Sequence, residues 1–157
     1  LTRFFMKYKV LTGEELEKLT SEFVDFLVVN GITADEWVKI KEESPVKANK
    51  FVESFSDVIY EGWMRKIQYL EVILPNEIMC FYCQPNQILL VGLSTTDQEI
   101  DFTIMTDLKS LPKNDSFEIY TQTKTYGKQR EVELFEMIER GAIPADESLF
   151  NALCLAL

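Results

Sequence analysis

Ile78-Met79-Cys80-Phe81-Tyr82-Cys83-Gln84-Pro85-Asn86-Gln87-Ile88-Leu89-Leu90-Val91-Gly92-Leu93 is the stretch on which the fold turns. Two β-rich runs, Ile78 to Cys83 and Ile88 to Leu93, flank the turn-forming pair Pro85-Asn86. Ile88-Leu89-Leu90-Val91 is apolar at every position, hence on both faces of a strand. Such a strand belongs at the centre of a sheet with helices on at least one side. Working outward, three more runs have strand character: Ile67 to Leu74, Ile100 to Met105 and Phe117 to Thr123. Their separators are Pro75-Asn76, Thr95-Thr96-Asp97 and Pro112-Lys113-Asn114-Asp115. A spacing of about ten residues predicts an antiparallel meander of four to five strands.

The flanks change period. Thr12-Gly13-Glu14-Glu15 is a capping box, in which the Thr12 oxygen and the Glu15 carboxylate can each take a backbone N–H of the first turn. Leu16, Leu19, Phe23, Phe26 and Leu27 then recur at helical spacing, and Asn30-Gly31 is a stop. Thr33-Ala34-Asp35-Glu36 is a second box, opening a helix that carries Trp37, Val38 and Ile40. Ser44-Pro45 starts a third helix, with an apolar stripe running through Phe55, Val58, Ile59 and Trp63 to about Lys66. Beyond Gly127, residues 128–140 carry Val132, Leu134, Phe135 and Ile138, and Gly141 is a stop. Pro144, Asp146 and Glu147 open a final helix with Leu149, Phe150 and Leu153. The expected class is therefore α+β: an N-terminal three-helix segment, a central antiparallel sheet and two C-terminal helices. With no internal repeat and no linker-like stretch, one domain spanning 1–157 is expected.

Composition excludes much chemistry. The 157 residues include no histidine, which removes Ser-His-Asp and Cys-His catalysis and His-ligated zinc. Six scattered glycines form no phosphate-cradling loop. Net charge is −10, and residues 67–127 are the most lopsided, with 8 acids against 3 bases. Such a chain repels phosphate backbones and anionic membranes, so neither nucleic acid nor a membrane is an expected partner. Another protein, or a second copy, is. No apolar run is long enough to span a bilayer, and three cysteines do not make a secreted disulfide framework, which makes the cytoplasm the expected setting. Leu1 is not a start residue and Met6-Lys7-Tyr8-Lys9 reads as one, so residues 1–5 are expected to be either non-native or an upstream remnant. The apolar end Leu153-Cys154-Leu155-Ala156-Leu157 is either a docked terminal helix or a cut in a longer protein.

Four clusters remain as candidates. Cys80-Phe81-Tyr82-Cys83 has redox-motif spacing, but on a strand residues three apart face opposite sides, so core thiols are expected. Asp97, Glu99 and Asp101 would share a strand face and could attract a hard divalent cation. The sixth position of a calcium loop is Phe102 and the twelfth Leu108, so this is no EF-hand. Asp101 with Asp107-Leu108-Lys109 adds a faint likeness to the acid, acid-x-Lys set of metal-dependent nucleases. Lys124-Thr125-Tyr126-Gly127-Lys128-Gln129-Arg130 is the one locally basic stretch, read as a solvated turn. Trp37 and Trp63 sit on apolar helix faces and would be contact anchors if exposed.

Met6-Lys7-Tyr8, Leu11-Thr12, Glu14-Glu15-Leu16 and Asn30-Gly31-Ile32-Thr33-Ala34-Asp35-Glu36-Trp37 together resemble a small bacterial family known only as a domain of unknown function. The resemblance runs from Met6 through most of the chain and implies no activity or site residue. The functional expectation is a non-enzymatic acidic protein-interaction or adaptor module without a cofactor. Its expected contacts are Trp37, Trp63, Leu149, Phe150 and Leu153, the last three provided the terminal helix is not buried. The alternatives are a carboxylate-based divalent-metal enzyme using Asp97, Glu99, Asp101 and Asp107, and an immunity-type inhibitor that neutralises a basic protein by charge.

Overall fold

The computed structural model describes residues 5–105 and 115–157. Two compact units are present, one ending at Arg65 and the other beginning at Lys66. The class is α+β, with helices at both ends of a five-stranded antiparallel sheet.

The first unit holds α1 (Gly13–Lys18), α2 (Thr20–Val29), α3 (Ala34–Glu43) and α4 (Pro45–Lys66). Both predicted capping boxes form: Thr12 with Glu15, and Thr33 with Glu36, each exchanging side-chain and backbone bonds. The stop at Asn30-Gly31 also forms. Gly31 takes φ +75°, and Ile32 N–H reaches back to the Leu27 carbonyl at 2.9 Å, a closure that requires a left-handed residue. The expected first helix is instead two. Leu19 leaves helical geometry at φ −110° and ψ 22°, and the Thr20 hydroxyl donates to the Glu17 carbonyl, giving that carbonyl a partner outside the helical ladder. The three-helix segment therefore has four helices. Phe23, Phe26 and Phe55 meet with ring centroids 5.0–6.3 Å apart, around the fully buried Phe55. The N-terminal segment is tied to α4 by polar contacts. The Ser56 hydroxyl accepts from Leu11 N–H and donates to the Val52 carbonyl, while Asp57 accepts from the N–H groups of Lys7 and Tyr8.

The second unit is built on β1 (Tyr69–Leu74), β2 (Glu77–Cys83), β3 (Gln87–Thr95), β4 (Phe117–Thr125) and β5 (Ile143–Ala145), with α5 (Arg130–Glu139) and α6 (Ser148–Leu155). Strand order is β4-β3-β2-β1-β5. β3 is an interior strand, apolar on both faces as expected, and the middle of the sheet is β2. Ile78, Cys80, Val91 and Leu93 pack with Phe150 and Leu153 of α6 on one face. The opposite face presents Phe81, Ile88 and Leu90 around Met137 of α5.

Two expectations about this unit are corrected. Ile100 to Met105 is not a strand: turns occupy Asp101's neighbourhood, Phe102 is driven into the core at 3% exposure, and Ile100 and Met105 pack partly buried against the same cluster. The Asp97 and Asp101 side chains take the backbone N–H groups two residues on, which holds the chain in turns rather than a ladder. The fifth strand is β5, where Ile143-Pro144-Ala145 pairs with Tyr69 to Glu71, and the final helix begins only at Ser148.

Tyr120 on β4 crosses above Gly92 of β3 to donate to the Glu77 carboxylate of β2 at 2.6 Å. A Cβ at Gly92 would lie 2.1 Å from the Tyr120 ring. Gly92→Ala is therefore expected to cost about 1–3 kcal/mol in urea denaturation. Gly62→Ala, in α4 with nothing within 4 Å of the added carbon, should stabilise by about 0.5–1 kcal/mol. Equal effects of the two would refute the close approach.

Glu61 of α4 accepts from the Lys7 ammonium at 2.8 Å and from the Tyr8 hydroxyl. Burial pushes its carboxyl upward, but those two donors outweigh it and hold the group below its ordinary value of 4.5. A depressed carboxyl stabilises above its unfolded value, and that contribution disappears as pH falls through the folded one. Proteolytic cutting between Lys7 and Lys9 should therefore accelerate below about pH 4.5, and in Glu61→Gln it should be fast at neutral pH as well. A cutting rate indifferent to both would show that Glu61 does not hold this segment.

Candidate functional site

The acidic candidate is used locally. Asp97 Oδ1 accepts from Glu99 N–H at 2.9 Å, and Asp101 Oδ1 accepts from Thr103 N–H at 2.9 Å. The Thr103 hydroxyl and amide together hold the Asp101 carboxyl below its ordinary value. Because residues 97–101 are not a strand, the three carboxylates do not line one face. Among the described residues no group of three acids or thiols is placed to hold a metal ion. Asp107 and Lys109 lie outside the described residues.

The aromatic candidates separate. Trp37 is half-buried and packs edge-on against Phe23 at 5.2 Å and Phe51 at 6.2 Å. Trp63 stands edge-on to Tyr60 and is 37% exposed. In the terminal helix Phe150 is 8% and Leu153 2% exposed, Leu149 packs against their cluster, and Phe150 meets the rings of Tyr69 and Tyr82. The condition under which these three would form a contact surface is not met, because the helix covers the sheet.

The basic stretch is a pinned turn. The Tyr126 hydroxyl donates to the Gln84 carbonyl at 2.7 Å, and Glu133 Oε1 accepts from the N–H groups of Gly127 and Lys128. Lys128 pairs with Glu136, and Arg130 donates to the carbonyls of Ile67 and Cys83, clamping the start of α5 to the ends of β1 and β2. A depression of about 520 Å³ in the first unit is open and lined by charges of both signs, including Glu36, Lys39, Glu43 and Lys47. Glu36 is already engaged by the Thr33 cap.

β4 is an outer strand of the sheet among the described residues. Among the described residues β4 pairs with β3 alone, over nine residues in unbroken register from Gln87↔Thr125 to Thr95↔Phe117. Thr121, Gln122, Thr123, Lys124 and Thr125 are all exposed. Thr96 N–H donates to the Ser116 carbonyl at 3.0 Å, and this fixes the phase of the ladder. Antiparallel pairs alternate, so even-numbered residues of β4 bond to β3. The N–H and C=O groups of Phe117, Ile119, Thr121, Thr123 and Thr125 therefore point outward. Edge strands are commonly blunted by shortness, proline or a bulge. At the other edge β5 is three residues long and contains Pro144. β4 is nine residues long without proline or a bulge, and its charged residues are Glu118 and Lys124. The sequence carried one sign of this: Thr121 to Thr125 is polar on both faces, as a strand leaving the core would be.

Residues 6–157 match the model of a family described as a family of unknown function, DUF6495. The chain belongs to that family. No curated protein and no solved structure matches it. The family description assigns no activity, and the match spans both compact units.

The cysteine candidate gives a direct check of the site geometry. Cys80 and Cys83 lie on opposite faces of β2, and both are buried. Burial pushes the Cys80 thiol up to about 12 and the Cys83 thiol up to about 11, the reverse of an activated redox pair. Iodoacetamide at about pH 8 should alkylate Cys154, which is partly exposed, and spare Cys80 and Cys83 until denaturant is added. Rapid labelling of Cys80 or Cys83 in the folded chain, read by peptide mass spectrometry, would contradict their burial.

Proposed function

We propose that this chain is a non-enzymatic protein-interaction module, and that it binds by adding a strand to the free edge of β4. The observation that carries the reading is the nine-residue edge itself, with its outward row of backbone donors and acceptors. Strand addition draws affinity from main-chain hydrogen bonds and specificity from alternate side chains. Asp97 and Asp101, which cap turns, and Cys80 and Cys83, which are buried, favour this reading over chemistry at those candidates. The net charge of −10 adds a long-range preference for partners that are not acidic. No described helix is long and apolar enough to cross a membrane, and three free cysteines fit a cytoplasmic setting.

Thr121→Pro is the discriminating variant. It deletes one outward N–H and leaves the bonds to β3 untouched, a position at which an edge strand tolerates proline. Tagged full-length chain and its Thr121→Pro variant should be compared in affinity capture from lysate at low and high salt. The expected result is a stoichiometric partner lost by at least about tenfold in the variant, with an unchanged circular dichroism spectrum. A partner retained equally by both forms would move the contact away from β4.

A further inference from the structure

We propose that the strand added to β4 is β4 of a second copy, antiparallel and centred on Thr121, so that two sheets join into one. This rests on the reading of β4 as the contact surface and names its occupant.

Three features point to that register, the first by restricting the pairing to outward-facing residues and the other two by selecting among the registers that do so. The first is hydrogen-bond phase. A two-fold axis through Thr121 sets outward-facing residues against outward-facing residues: Phe117 against Thr125, Ile119 against Thr123, and Thr121 against itself. Every outward N–H and C=O of one strand then meets its complement on the other. The second is length. Thr121 is the midpoint of Phe117–Thr125, so this register overlaps the whole strand, whereas a shift by two residues leaves unpaired groups at both ends. The third is charge. The strand carries one acid, Glu118, and one base, Lys124, placed symmetrically about Thr121. In this register Glu118 of each copy stands opposite Lys124 of the other, on the same face and in a non-hydrogen-bonded pair, where side chains approach most closely.

Both charges are available for such pairing. Glu118 is exposed, and the Lys124 side chain is 69% exposed while its ammonium also lies 3.9 Å from the Glu133 carboxylate. Thr121 facing Thr121 supplies a pair of hydroxyls that hydrogen-bond across strands. The strand itself is neutral, so the acidity of the whole chain opposes association only at long range. Salt of about 0.15 M screens that repulsion beyond roughly 8 Å. The contrast between edges supports a functional rather than an accidental opening: β5 is short and contains proline, while β4 is long, regular and self-complementary.

Analytical ultracentrifugation of the full chain at about 100 μM and about 0.15 M salt tests the inference. The expected species has twice the 18.2 kDa of one chain. Thr121→Pro should be monomeric with an unchanged circular dichroism spectrum. Lys124→Glu, which sets like charges opposite one another at two symmetric positions, should weaken association by about tenfold. The double exchange Glu118→Lys with Lys124→Glu restores opposite charges and should recover the wild-type association. A wild-type monomer under these conditions overturns self-pairing. So does a dimer indifferent to Thr121→Pro, or one that the double exchange fails to restore. If the wild type is monomeric and Thr121→Pro still loses a captured partner, the edge reading stands and only the second copy as occupant is lost.

Discussion

The ladder that β3 forms with β2 on one side and β4 on the other is the constraint on which the second unit depends. Its register runs without interruption from Gln87 to Thr95 on the β4 side and through Ile88 to Ser94 on the β2 side. Because β3 is apolar at consecutive positions, both faces must be covered, and a strand has only two. α6 takes one, through Phe150 and Leu153. α5 takes the other, around Met137, and Arg130 locks the start of that helix to the carbonyls of Ile67 and Cys83. The face of α6 that carries Phe150 and Leu153 is thereby committed to the core, while Leu155 and Leu157 stay exposed. The burial of each large side chain there contributes on the order of 1.5–3 kcal/mol, more than any of the surface ion pairs of this chain could offset.

The same ladder decides where the sheet stops. β1 accepts β5, a three-residue strand with proline at its centre, and the sheet ends in a form that resists further pairing. β4 extends beyond the covered region, and its last five residues are exposed. Gly92 and Tyr120 belong to this end of the sheet. The missing side chain of Gly92 lets the Tyr120 ring cross β3 to reach Glu77, which ties the edge strand to β2 as well as to its direct neighbour. The edge strand is therefore tied to two strands of the sheet where it leaves the core.

Two levels limit which side chains could act together among the described residues. The absence of histidine is a property of composition. The fate of the carboxylates is a property of conformation: Asp97 and Asp101 satisfy neighbouring amides, and Asp146 does the same for Ser148. A carboxylate that caps a turn two residues away has one oxygen committed and its direction set by the local backbone. Such groups diverge instead of converging on a shared ion. Glu133 is a deeper version of the same use, buried and gripping the amides of Gly127 and Lys128 across the turn into α5.

What was legible in the amino-acid order was whatever depends on residues three to five apart. The capping boxes at Thr12 and Thr33, the stops at Gly31 and Gly141, the start at Pro45 and the opposed faces of Cys80 and Cys83 all follow from short-range geometry. The interior place of Ile88 to Val91 followed from its apolarity on both faces. The break at Leu19, the turn-bound Phe102, the pairing of Ile143 to Ala145 with β1 and the burial of Phe150 did not. Each depends on a partner distant in sequence, and a propensity for extended structure does not say which strand, if any, will meet it. The sequence by itself determined the α+β class, the helix ends and the lack of histidine chemistry, because these rest on composition and local bonding. Only the tertiary structure decided which strand lies at the edge and which residues remain exposed, because a hydrogen-bond ladder assigns its free side only after every other strand has found its neighbour.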